Sequence, residues 1–207
     1  MKQKLDVDSW NRKEHFRFFN SFDQPYFGVT VDVDCTRAYQ NAKDLDVSFY
    51  SYYLHKILAA VNAVESFKYG IDGEDVYISG RVDASTTILR DDKTFGLSYI
   101  RYEEDIHDFH QVVIAEIERV KNTTGIFTTG PLTDVIHFSA LPWVSFNNIS
   151  QAHNNKSGDS CPKITVGKLT EANGIKSMPV HIHVHHGLVD GYHVGLYIDK
   201  LQQLLDG

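Results

Sequence analysis

The 207 residues suit one compact domain, residues 1–207, with room for a substantial core, and 42% apolar with 23% charged is the mix of a soluble globular chain. A net charge of −7 argues against a general nucleic-acid binder, which needs a basic surface. Cys35 and Cys161 stand far apart without metal-ligand spacing, the N-terminus has no apolar signal core, and no apolar run nears the roughly 18 residues of a membrane span. The expectation is a cytoplasmic protein with no nucleic-acid or membrane partner.

In chain order, Asp8 or Ser9 is expected to cap a short helix reaching Phe19, with Arg12 one turn inside it. Tyr26 to Asp34 alternates as a strand. Val47 to Phe67 is a long helix, apolar on a wide face, lying against a sheet. Strand-like runs follow at 75–80, 85–90 and 95–102, with Asp83 and Asp91-Asp92-Lys93 as turn punctuation. From Asp105 to Val120 the apolar residues Ile106, Phe109, Val113, Ile117 and Val120 recur at helical spacing. Val135 to Phe146 is extended, with Pro142 at a bulge or edge because proline cannot donate to a ladder. Asn147 to Ser160 is a polar loop. Lys163 to Thr170 and Pro179 to His186 are strands, and Tyr192 to Leu205 is a closing helix. This is a mixed α/β order with too few β-α alternations for a doubly wound parallel sheet.

The chemistry concentrates in HIHVHHGLVDG, residues 181–191. On a strand, His181, His183 and His185 share one face, while Ile182, Val184 and His186 share the other. Three same-face imidazoles could hold zinc, but a histidine-rich strand does not by itself specify such a site, and no metal is expected. His186 is the imidazole on the apolar face, where burial keeps a ring neutral and able to accept a proton. A satisfied core histidine is the plain alternative.

The pattern HHxxxDG between a strand and a helix resembles the active-site signature of the chloramphenicol acetyltransferase family. The resemblance extends over nearly the whole chain, through RKEHF at 12–16, FSALPWVSF at 138–146, ITVGK at 164–168 and VHHGLVDGYHVG at 184–195. It implies a two-layer α/β sandwich, with a large mixed sheet and helices on one side. It also implies a homotrimer in which His186 of one subunit faces the acceptor pocket of its neighbour. Acetyl-CoA would be a co-substrate, with no tightly bound cofactor.

By the same resemblance His186 is the general base, Ser139 stabilises the oxyanion, and Thr165 holds a water near the same intermediate. Asp190 pairs with Arg12 and supports the local fold, so a Ser-His-Asp triad is not expected. Trp143 and Lys168 match the channel for the pantetheine and nucleotide, and Leu169 stands where relatives stack an aromatic on the adenine. Phe19, Phe27, Phe95 and Phe127 match the acceptor pocket, Phe19 replacing a tyrosine. The loop Ile149 to Ser160 is polar where the family lines its drug site with apolar side chains, and Gln151 stands at a position usually leucine. The implied reaction is acetyl transfer to a hydroxyl of chloramphenicol. A more polar alcohol as acceptor, or a non-catalytic ligand-binding trimer, are the alternatives; the last would be marked by loss of His186 or Ser139, and both are present.

Overall fold

The computed structural model describes residues 2–130, 133–152 and 159–207. The chain runs β1 (Lys2–Lys4), α1 (Lys13–Asn20), β2 (Tyr26–Asp34), α2 (Thr36–Asp44) and α3 (Phe49–Ala63). It continues with a 3-10 turn at Glu65–Lys68, β3 (Tyr69–Asp72), β4 (Asp75–Ser79), β5 (Asp83–Leu89), β6 (Phe95–Leu97) and α4 (Ile106–Lys121). It ends with β7 (Val135–Ala140), β8 (Lys163–Val166), β9 (Thr170–Ala172), β10 (Ile175–His185) and α5 (Gly191–Asp206). A seven-stranded mixed sheet has the order β2-β10-β8-β7-β5-β6, with β9 on β10, and a small antiparallel sheet has the order β1-β4-β3. Among the described residues, no helix is long and apolar enough to cross a membrane.

β10 organises the molecule. It lies antiparallel between β2 and β8, and β8, β7 and β5 then run parallel. Val180, Ile182 and Val184 join one core with Leu54, Ile57 and Leu58 of α3 and Tyr197 and Leu201 of α5. Period-two alternation turns the other half of β10 away from that layer. The result is the two-layer α/β arrangement with a large mixed sheet that the sequence implied.

Helix caps explain several boundaries. Ser48 accepts from the Ser51 amide to open α3, and Asp105 accepts from the amides of His107 and Asp108 to open α4. α1 begins later than expected, at Lys13, with Arg12 at its N-cap position and not inside it. Asp8 instead accepts from Arg17 at 2.7 Å, and the Ser9 hydroxyl donates to the Asp6 carbonyl. Pro142 falls past the end of β7 in a turn closed by the Val144 amide on the Leu141 carbonyl.

Asp83 is not turn punctuation but the buried first residue of β5. Its carboxylate accepts from the Tyr102 amide at 2.8 Å and the Tyr99 hydroxyl at 2.5 Å. The Tyr99 amide donates to Glu116 at 2.8 Å. Side-chain carboxylates thus take amide hydrogens that a strand partner would need, and the expected strand 95–102 stops at Leu97, with Ile100 bridging back to Ala84.

Candidate active site

His186 follows the last residue of β10. Its backbone amide donates to the Pro25 carbonyl at 2.7 Å, which ties the strand end to the start of β2. The imidazole stacks on Phe19 at 3.9 Å and 6°, and Phe27 lies 4.5 Å away, tilted. Nδ1 is buried and has no hydrogen-bond partner among the described residues. That leaves Nε2 as the nitrogen able to meet a ligand.

The next turn fixes this end. The Gly187 amide donates to His185 Nδ1 at 3.2 Å. Asp190 Oδ2 accepts from Arg12 at 2.6 Å, while Oδ1 accepts from the amides of Tyr192 and His193 as the N-cap of α5. Burial alone would raise this carboxyl, but the Arg12 hydrogen bond and the His193 charge outweigh it and hold it at about 2. Both oxygens are engaged, and neither bonds His186.

Ser139 and Thr165 stand directly opposite each other across β7 and β8, and Thr165 stands opposite His181 on β10. They line a cavity of about 440 Å³ together with His137, Gln151, Asp159 and Lys163. Gln151 Nε2 donates to Thr165 Oγ1 at 3.0 Å. Lys163 is buried and donates to Asp159 at 2.5 Å, with its ammonium 4.6 Å above the Tyr26 ring. The Tyr26 hydroxyl donates to the Asp159 carbonyl at 2.7 Å. His137 lies two residues before Ser139, and Lys163 two before Thr165, so all four share a sheet face. The sequence carried that signal in a lysine within KITV, and the period-two relation was the means to read it. Of the polar loop, residues 153–158 lie outside the described residues.

Within one chain the sequence-selected residues fall into separate groups. Phe19, Phe27, Arg12 and Asp190 gather around His186 at the β2 side. Ser139 and Thr165 lie mid-sheet, and Phe95 and Phe127 are exposed at the β6 edge, where Phe127 bridges to Leu97. His186 does not line the Ser139 cavity. Trp143 is exposed beside Lys168, whose amide donates to the Val144 carbonyl, while Leu169 packs against the core.

Among the described residues the same-face histidines His181 and His185 have separate hydrogen-bond partners. His181 Nδ1 shares a 2.8 Å hydrogen bond with Thr30, His185 Nδ1 takes the Gly187 amide, and the rings of His181 and His183 are 5.8 Å apart. Gly28 makes room for this packing, since a Cβ there would come within 2.6 Å of the His181 ring. Burial lowers the pKa of His181, and lowers that of His185 to about 4.

A large mixed sheet packs against helices, with His186, Asp190 and Gly191 at the step from β10 to α5. A probable dihydrolipoamide acetyltransferase from Listeria monocytogenes superposes with a TM-score of 0.67 over 93% of this chain and 88% of its own, at 11% identity, a likeness of fold alone. A solved chloramphenicol acetyltransferase superposes with a TM-score of 0.88 over 99% and 100% of the two chains, at 29% identity. The chloramphenicol acetyltransferase family model matches residues 2–202. A chloramphenicol acetyltransferase of Staphylococcus aureus is 29% identical across 98% of this chain and 95% of its own. Chloramphenicol acetyltransferase 3 of Escherichia coli is 30% identical across 97% and 95%. The chain belongs to the chloramphenicol acetyltransferase family, and it is an enzyme of that acetyl-transferring class.

Proposed function

We propose that the protein moves an acetyl group from acetyl-CoA to a hydroxyl of chloramphenicol, in the cytoplasm, with antibiotic resistance as the outcome. His186 Nε2 takes the hydroxyl proton as the oxygen attacks the thioester carbonyl. The tetrahedral oxyanion accepts a hydrogen bond from Ser139, with Thr165 beside it. Collapse breaks the carbon–sulfur bond, and the proton passes to the departing thiolate. No acyl-enzyme forms. The observation that carries this reading is the seating of His186, with one nitrogen buried, its ring clamped on Phe19, and its other nitrogen left for the acceptor. Asp190 is a supporting residue in this reading, because its oxygens serve Arg12 and α5. Trp143 and Lys168 contribute to the acetyl-CoA channel.

The active site is closed between copies of a homotrimer. The sheet register supports this. His181 is level with Thr165 and Ser139, and His186 lies five residues further along β10, roughly 16 Å at about 3.3 Å per residue. One chain therefore keeps base and oxyanion donor apart, and a neighbouring copy supplies the missing half. Phe19 and Phe27 flank the base, and Phe95 and Phe127 belong to the acceptor pocket.

Thiol release from acetyl-CoA in the presence of chloramphenicol tests the reaction. It is expected to fall by ~10²–10⁴-fold in His186→Ala with binding of CoA retained. An equally fast, folded variant overturns the assignment of the base. A second reading, a more polar acceptor alcohol, is favoured by the polar lining beside Ser139.

A further inference from the structure

Phe127 is 80% exposed, so packing within the chain does not locate its ring, yet its backbone is tied to the sheet on both sides. The Leu97 amide donates to the Ile126 carbonyl at 2.8 Å, and the Thr128 hydroxyl donates to the Leu97 carbonyl. Leu97 ends β6, and Phe95 begins it. Both aromatic residues are thus carried by one short strand and the segment laid beside it. Two arginines hold that segment in place.

Arg90 follows β5 and is buried. Its Nε donates to the Val120 carbonyl at 3.1 Å, in the last turn of α4, where carbonyls lack partners within the helix and a cation is favoured. Nη2 donates to the Gly125 carbonyl at 2.7 Å, and Nη1 to the Thr94 hydroxyl at 3.3 Å. Gly125 turns the chain with a φ of 77°, and Phe127 stands two residues on. Gly96 leaves the space, since a Cβ there would collide with the Arg90 guanidinium.

Arg119 takes the other side of Phe127. Its Nη1 donates to the Thr128 carbonyl at 2.8 Å, and its Nη2 to the Thr128 hydroxyl at 3.1 Å. Glu116 accepts from Nε at 2.7 Å and from Nη2 at 2.6 Å, and so orients the guanidinium. A guanidinium is a rigid plane of donors that can serve several fixed acceptors at once, which an ammonium on a flexible stem cannot match.

We propose that Arg90 and Arg119 are positioning residues for the acceptor. By clamping Gly125 and Thr128 they set where Phe127 stands, and through that ring how the acceptor is held. The proposal rests on the acetyl-transfer reading above and on the place it gives Phe127.

The test measures kcat, and KM for chloramphenicol and for acetyl-CoA, in thiol release by the whole protein. Phe127→Ala is expected to raise the chloramphenicol KM by about 10-fold. Arg119 is 39% exposed, so Arg119→Met leaves the protein folded. It is expected to raise the chloramphenicol KM by about 3- to 10-fold, with kcat and the acetyl-CoA KM within about two-fold of the unaltered protein. Arg119→Lys recovers part of the loss, and Arg90→Met moves KM in the same direction. Arg119→Met carries the test where the buried Arg90→Met does not fold. In a Phe127→Ala background, Arg119→Met is expected to add nothing, because the ring it acts through is gone. A merely structural arginine would add its full effect there. Full additivity, or an unmoved chloramphenicol KM in Arg119→Met, overturns the inference and leaves acetyl transfer standing. An unmoved KM in Phe127→Ala overturns the placement of Phe127 and this inference, with the reaction intact. No chloramphenicol-dependent thiol release by the unaltered protein overturns the proposed reaction and this inference together.

Discussion

Val180, Ile182 and Val184 on one face of β10 are fully buried, and so, to within 3%, are His181 and His185 on the other. The faces differ in chemistry far more than in burial. On the first, aliphatic side chains meet α3 and α5 and contribute dispersion and transfer free energy. On the second, imidazoles meet Thr30, Thr165 and Tyr26 and continue into the Ser139 cavity. A strand with alternating polarity ordinarily has one wet face. Here both are covered, and the polar one must satisfy its groups individually or leave them available to a ligand.

The widest separation between the faces is expected from Ile182→Ala. It opens a cavity under α3 and α5 and should cost about 4 kcal/mol, read from the urea midpoint, with the ranking of acceptors unchanged. A changed ranking would mean the apolar face also shapes the pocket.

Acid comes next and acts on the opposite face. His185 is held at about 4, mainly by burial and then by the neighbouring His186 charge, against an ordinary value near 6.5. Between these values the unfolded chain binds a proton that the folded chain refuses. Stability is therefore full above about pH 6.5 and falls as pH drops toward 4, by on the order of 3 kcal/mol. His185→Gln should reduce the slope of urea midpoints across that window, with His55, His137 and His181, which burial also lowers, supplying the rest. Asp159, held below its ordinary value, contributes its loss at lower pH and does not blur the reading. The smallest effect is expected from Thr30→Val, which removes the partner of His181 Nδ1 and should cost about 1 kcal/mol. A cost as large as that of Ile182→Ala would erase the energetic contrast between the faces.

Much of the fold was legible because periodicity was strong. β2 occupies the expected Tyr26–Asp34, and α4 follows the apolar spacing with Asp105 as its cap. Other parts had weaker signals. α2 buries only Ala38 and Ala42 in TRAYQNAKD, too small an apolar stripe to stand out. β1 is three exposed residues. The motif VHHGLVDG pointed to His186, yet the cavity wall was hidden because Lys163 and Asp159 look like surface charges until strand pairing places them beside Thr165.

The five residues of β10 between the level of Ser139, at His181, and His186 have a consequence in mass action. Under the proposed trimer, a lone chain carries the base of one site and the oxyanion donor of another, and completes neither. Turnover then depends on how many chains are assembled. On dilution below the assembly constant, activity per chain falls while each chain stays folded. A cell holding few copies would lose activity faster than it loses protein.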